Sequence, residues 1–376
     1  MDVRISVVGF KFHDWTDEYE EVLKAQFDNV NFYYLDATRK KISSWFVASL
    51  LEIFSKLTYF LFSSNMFLRA IAVSKRSWLL LEFIKRWKEH PSLIIAHNPA
   101  AFYPAFWLLK NAKVPFAIDI EDFHPGEGNN KKQQNNLAEL MKRILPHASY
   151  LSFASDLIKT YTIKLLNGKN LKNSIVVNNC FSINEFLNTK VFLTNEKLQL
   201  VWFSQYIDYS RGLEKLLPIL DNFKDKLQLT LIGQIRTFFY NNEIKGRGYI
   251  SIKSSLPQTE LHAVLNMYDV GLAIEDNTYD LNRNICLTNK IWAYFQGGLF
   301  ILASDTEAQH LFIEQHTEHG ICISLEKNSI VASMEKLLKD KELIRNKRDD
   351  RFEKAKLYCW ENECIGLKSK WEKLLN

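Results

Sequence analysis

Short apolar runs alternate with stretches of helical period along almost the whole chain. Candidate strands are Val3–Val8, Asn31–Leu35, Leu93–Ala96, Phe116–Ile120, Tyr150–Phe153 and Ser174–Val177. A second series comprises Leu198–Phe203, Gln228–Ile232, Tyr249–Ile252, Val270–Ala273, Leu299–Ala303 and Gly320–Ile323. Strands separated by helical patterns predict right-handed βαβ units and parallel sheets. Two such series predict an α/β protein with two Rossmann-like domains. The polar stretch Asn184–Lys197 marks the expected boundary, with a first domain at residues 1–185 and a second at 195–350. The remainder, 351–376, reads as one helix over Arg351–Leu375 carrying Trp360 and Trp371. It either caps the second domain or crosses back to the first. Ligands bind beyond the carboxyl ends of parallel strands, so two facing domains place two such edges across one cleft. That geometry suits a two-substrate reaction protected from water by closure.

At 376 residues the chain has room for two separate cores. A hydrophobic fraction of 47% with 24% charged residues places it among soluble globular proteins. The net charge of +5 is too mild to imply nucleic-acid binding. The cysteines are Cys180, Cys286, Cys322, Cys359 and Cys364; their number is odd and no CxxC pair occurs. This argues against a disulfide framework or zinc site and for a reducing cytoplasm. The start MDVRISVVGF reads as a first strand rather than a signal peptide. The richest apolar run, Trp45–Phe62, is broken by Glu52 and Lys56 and does not reach spanning length. Across 42–87, aromatics and leucines mix with Arg69, Lys75, Arg76, Lys85 and Arg86. Such helices either lie peripherally on an anionic bilayer, at the inner face of the membrane, or pack on the first sheet. Packing is the expectation for most of the apolar residues.

The densest chemistry lies in Leu287–Gln309, LTNKIWAYFQGGLFILASDTEAQ. Thr288-Asn289-Lys290 opens a helix, Gly297-Gly298 closes it, and Leu299–Ala303 is a strand covered on both faces. A cation beside backbone N–H groups at a positive helix end suits a phosphate or diphosphate. This order resembles the donor-binding region of family 4 and related glycosyltransferases of the GT-B fold, which often carry a stretch like NKLFEYMAAGLPVIASD. The resemblance implies two Rossmann-like domains facing across a cleft and a nucleotide-sugar donor. It also implies transfer with retention to a glycan or lipid-linked acceptor, in polysaccharide or glycoconjugate biosynthesis. No cofactor and no metal are implied, and the chain has no DxD-type triplet. The family's two glutamates, eight positions apart, fall at Ile285 and Ala293 in this chain. These departures, with Gln205, keep open an epimerase on the same frame or a non-catalytic transferase subunit.

On the donor side, Ser204-Gln205 follows Leu198–Phe203 and precedes Arg211-Gly212-Leu213-Glu214, which resembles the family's diphosphate-gripping arginine and lysine element. Arg211 takes the lysine position and Gln205 the arginine position. Arg211 then either contacts phosphate or begins a surface helix. Gly233 resembles a glycine that lets the backbone approach the donor, and Gly248–Leu261 resembles the stretch cupping the base, with Lys253–Leu256 at its edge. Asp269 reads as structural. Arg283 either supplies the cation lost at Gln205 or is a solvent-facing charge; Asn284 is expected to contact the donor. Thr288, Asn289 and Lys290 complete the set. Asp305, Thr306 and Gln309 either support the donor loop or cap the next helix, with capping expected of Asp305 and Thr306.

On the acceptor side, Gly9 and the Phe10–Thr16 loop open onto the cleft. His97-Asn98-Pro99 and Glu121–Glu127 (EDFHPGE) follow strands and resemble HAHNP and YDxHDxHPGE stretches of GT-B transferases. His97, Asp122 and His124 are therefore the candidate catalytic residues, against the alternative of structural hydrogen bonds. Asp119 is expected to partner a backbone group or helix end. The polar run Gly126–Asn136 reads as a mobile loop, either over the acceptor or simply at the surface.

Overall fold

The computed structural model describes residues 3–12, 21, 24–25, 27, 29–38, 42–62, 64–168, 173–186 and 196–375. Most of the Phe10–Thr16 loop and of the Asn184–Lys197 boundary lies outside the described residues. All twelve expected strands are present, with some ends shifted by a few residues. In the first half they are β1 (Ile5–Lys11), β2 (Val30–Asp36), β3 (Ile94–Ala96), β4 (Phe116–Ile120), β5 (Leu151–Phe153) and β6 (Ser174–Val176). In the second they are β7 (Leu198–Ile207), β8 (Leu227–Ile235), β9 (Ile250–Lys253), β10 (Val270–Ala273), β11 (Phe300–Ser304) and β12 (Gly320–Ile323).

Among the described residues every ladder is parallel. The second half forms one six-stranded sheet in the order β12-β11-β10-β7-β8-β9. Residues alternate between its two covered faces, as expected for a sheet between helices. Leu200 and Trp202 point into a core with the helices Leu213–Leu220 and Lys327–Lys339. Val201, Ala273 and Ile301 point the other way, onto the helices Asn289–Gln296 and Glu307–Gln315. The strand order reverses between β7 and β10, so this sheet has its switch point there. The first half is divided into a four-stranded sheet, β3-β4-β5-β6, and a separate β1-β2 pair. Glu89 ties that pair to the chain entering β3, accepting from Ser6 Oγ at 3.0 Å and Tyr33 Oη at 2.6 Å.

Four local expectations are corrected. β7 and β8 outrun their apolar cores because a bulge between Phe203 and Tyr206 lets pairing resume at Tyr206 and run on to Ile207. Gly233 lies within β8 at φ +149°, and a Cβ there would sit 2.0 Å from the Ser204 carbonyl oxygen. The Gly126–Asn136 run is largely the start of a helix, Lys131–Ile144, capped by Asn130 accepting from Gln133 N. Its apolar stripe of Leu137, Leu140, Met141 and Ile144 begins only after the polar turns, which hid the helix. The last helix is broken into Arg348–Ala355 and Trp360–Leu375. The second piece lies on the four-stranded sheet: Leu367 packs with Ala117, Tyr150 and Val177, and Trp371 Nε1 donates to Tyr150 Oη at 2.7 Å.

The fourth correction concerns the helix Ile42–Thr58. Most of its apolar side chains face outward, whereas small Ala48 and Ser55 are buried and Trp45 and Leu51 are half-buried. The following helices, Met66–Val73 and Arg76–Arg86, do pack inward as expected, through residues such as Ile71, Leu80 and Leu81.

Candidate functional site

The second sheet's switch point gathers the charged residues of the donor side. Arg211 follows β7, and Glu275 lies two residues beyond the end of β10. Lys290 comes from the first turn of Asn289–Gln296, a helix held close to β10 because Gly271 leaves room for the Tyr294 ring. Lys290 Nζ lies 2.5 Å from Glu275 Oε1, and Arg211 Nη1 lies 3.3 Å from the same oxygen. Both Glu275 and Lys290 are buried, at 1% and 5% exposure. Arg283, from the short helix Leu281–Ile285, also acts electrostatically on Glu275. Its guanidinium donates to the Ser210 carbonyl and stacks 3.7 Å from the Tyr279 ring centroid.

Burial opposes ionisation of Glu275, but Lys290 and Arg211 outweigh it and hold the carboxyl below the ordinary range. Burial lowers the Lys290 ammonium, only partly offset by Glu275. Two cations, Lys290 and Arg211, thus contact one carboxylate beyond the strand ends, with Arg283 near enough to act on it. Such a preorganised cluster stabilises an anion without waiting for solvent to reorganise. The Glu275 backbone is fixed in turn: its N–H donates to Ser304 Oγ at 2.9 Å, and buried Gln309 lies behind that hydroxyl.

The remaining donor-side residues divide. Thr288 is the N-cap of Asn289–Gln296, yet its Oγ1 is buried without a hydrogen-bond partner. Asn289 is exposed beside it. Asn284 accepts from Glu307 N at 3.0 Å, so it is engaged with the start of Glu307–Gln315. Thr306 caps that helix, accepting from Gln309 N at 3.2 Å, while Asp305 accepts from Asn277 Nδ2 at 3.4 Å. Gln205 lies in the β7 bulge rather than in a following loop, and is exposed. Gly233 makes room for that bulge. Asp269 is structural: it accepts from Gln199 N and pairs with Arg345. Ile285 and Ala293 are both fully buried, so neither position presents a side chain to solvent.

The acceptor-side residues do not form one cluster. His97, beyond β3, is exposed; its Nδ1 lies 3.1 Å from Asp119 Oδ2 and 3.3 Å from Glu121 Oε1. Hydrogen bonds to Asp119 and Glu121 raise its pKa to about 9. Burial would raise the Asp119 carboxyl, but hydrogen bonds from His97 and Ser152 outweigh it and bring it down. Among the described residues, this is the group whose ligand-type atoms lie within 4.8 Å of one another. The three side chains form an ion-paired triad in which His97 bridges two carboxylates.

Asp122 is committed elsewhere: its Oδ1 accepts from Asn282 Nδ2 at 2.9 Å. Asn282 Oδ1 accepts from Phe123 N at 2.7 Å, and Asp280 Oδ2 accepts from Gly128 N at 3.0 Å. The loop beyond β4 is thereby fastened to the loop beyond β10. His124 lies between these contacts, its Nδ1 2.9 Å from Glu127 and its Nε2 buried without a partner.

Sequence reasoning missed Glu275 and Asn282. Glu275 had a usable signal, an acidic residue directly beyond an apolar strand and shortly before two expected cations, Arg283 and Lys290. Asn282 had none, because its role depends on two loops remote in sequence.

An α/β chain with two facing sets of parallel strands and a charged switch point belongs to the GT-B fold class, and solved structures bear this out. No family model matches the chain, and no curated protein matches it. The Anabaena protein HepE in complex with UDP superposes with a TM-score of 0.66 at 12% identity, over 98% of this chain and 99% of that one. A glycosyltransferase from Rickettsia africae ESF-5 gives 0.64 at 8% identity over 99% of both chains. Sucrose-phosphate synthase from Thermosynechococcus elongatus gives 0.63 at 13% identity, over 79% of this chain and 78% of that one. At these identities the likeness is one of fold.

Proposed function

We propose that the protein is a glycosyltransferase, resembling family 4, that moves a sugar from a nucleotide-sugar donor to a hydroxyl of a glycan or lipid-linked acceptor. The observation that carries this reading is the Arg211–Glu275–Lys290–Arg283 cluster at the switch point of the second sheet. HepE, which shares the fold, is described with UDP and with UDP-glucose. In this reading the donor diphosphate meets Lys290, Arg211 and Arg283, with the unpartnered Thr288 hydroxyl and the helix start beside it. Charge building on the leaving diphosphate is stabilised there, and the diphosphate itself helps deprotonate the acceptor hydroxyl. Retention and independence from metal belong to the same proposal.

His97 carries its proton at neutral pH, so it acts as a donor and not as a base. The unpartnered Nε2 of His124 is the better contact for an acceptor hydroxyl. The family's glutamate pair has no counterpart in the cleft, since Ile285 and Ala293 belong to the core. The five cysteines stand unpaired, which fits a reducing compartment such as the cytoplasm. Calorimetry of the intact chain against UDP-, GDP- and ADP-linked sugars tests the reading. Binding to at least one is expected; failure to bind any of them, or the free diphosphates, sinks it. Donor breakdown or rearrangement without an acceptor would instead select the epimerase.

A further inference from the structure

The helix Ile42–Thr58 is turned inside out relative to a helix of a soluble core. Ile42, Phe46, Leu50, Ile53 and Leu57 recur at helical spacing along its outer side, and Leu61 continues the line. Between 42 and 62, ten large apolar side chains are each at least 42% exposed. The inner side carries buried Ala48 and Ser55, and Ser49 on the adjoining flank bonds Lys75 at 3.0 Å. Inverting the helix would hide its apolar stripe, yet the hydrogen bond from Lys75 to Ser49 fits the orientation observed. A soluble monomer seldom leaves so continuous an apolar face in water.

Charge identifies what covers this face. Residues 42–88 carry seven Lys and Arg against two Glu, an excess equal to the net +5 of the whole chain. The stripe-bearing stretch 42–62 holds one Lys and one Glu, and the basic excess lies on the two helices that pack beside it, between residues 66 and 88. Lys85 and Arg86 are exposed and share the single carboxylate of Glu82, so that pair of cations keeps a surplus positive charge at the surface. No helix among the described residues is long and apolar enough to cross a membrane. A helix that lies in the interface plane, apolar side down and cations at headgroup level, has these properties.

We propose that the outer face of 42–62 is a docking surface for a bilayer containing anionic phospholipid, with the helix lying along the interface. The surface stands on its own observations. Its further meaning, that the acceptor is lipid-linked and met at the membrane, rests on the transferase reading. The test is flotation of the intact chain with phosphatidylcholine vesicles, with and without phosphatidylglycerol, in the absence of any donor. The chain is expected to float with the anionic vesicles, less so at high salt. The double substitution Leu50→Glu and Leu57→Glu should lower the partition coefficient roughly tenfold or more. Both sites are exposed, so circular dichroism and thermal unfolding should remain unchanged; Leu50→Ser with Leu57→Ser is the milder companion. Failure to float with anionic vesicles overturns the proposal, as does flotation of the Glu variant at the wild-type level. Lipid-independent self-association that the same variant abolishes would assign the face to a second copy and also overturn it. Nucleotide-sugar binding by the variant, measured separately, keeps this outcome distinct from failure of the transferase reading.

Discussion

Glu275 is the residue on which the charged cluster at the switch point turns. Its carboxylate is buried against Lys290 and Arg211, and removing its charge strands a buried ammonium. Breaking a buried pair from one side costs a few kcal/mol, so Glu275→Gln should lose about 3 kcal/mol in urea unfolding. A loss within experimental error would mean that the pair is not formed. His97 offers a test through pH. Its folded pKa is raised from 6.5 to about 9, so its ion pairs contribute fully below 6.5 and fade as pH rises through about 9. The imidazole proton resonances should therefore titrate near pH 9, and Asp119→Asn should move the midpoint down towards 6.5; a wild-type midpoint near 6.5 would contradict the triad. Lys290 was singled out in the sequence by its place at a helix start, Arg211 by the family resemblance, and Arg283 as one of two alternatives for its loop. Their convergence on Glu275 was not legible there, since β7 and β10 become neighbours only when the sheet order reverses.

At the scale of elements, period and strand spacing sufficed for all twelve strands but not for their ends. β7 runs on through its bulge because Gly233 on β8 tolerates φ +149° and the touching Ser204 carbonyl. Gly233→Ala should cost upwards of about 3 kcal/mol in thermal or urea unfolding, since both strain and overlap oppose the methyl group. A neutral substitution would show that the bulge relaxes freely. The helix Lys131–Ile144 escaped notice because its polar first turns resemble a loop, and only Asn130 announces its start. The helix Ile42–Thr58 was recognisable by period. Which side faces water was not, because a hydrophobic stripe alone does not distinguish a protein core from a lipid surface.

For the whole molecule, the sequence pattern was enough for two parallel α/β units. The interlock between them depends on single residues remote in the chain: Asn282 with Asp122 and Phe123, Asp280 with Gly128, and Tyr161 with Glu307. Trp360–Leu375 ends against the first half, joining both units into one body. This arrangement sets the charged Glu275 cluster beyond β7 and β10 and the His97 and His124 loops beyond β3 and β4. The central claim is that a nucleotide-sugar diphosphate binds at Lys290, and the direct measurement is calorimetric titration of wild type and Lys290→Ala with the donor that binds. The account predicts measurable binding to the wild type and an affinity roughly tenfold or more weaker in the variant. Equal affinities in the two proteins would contradict it.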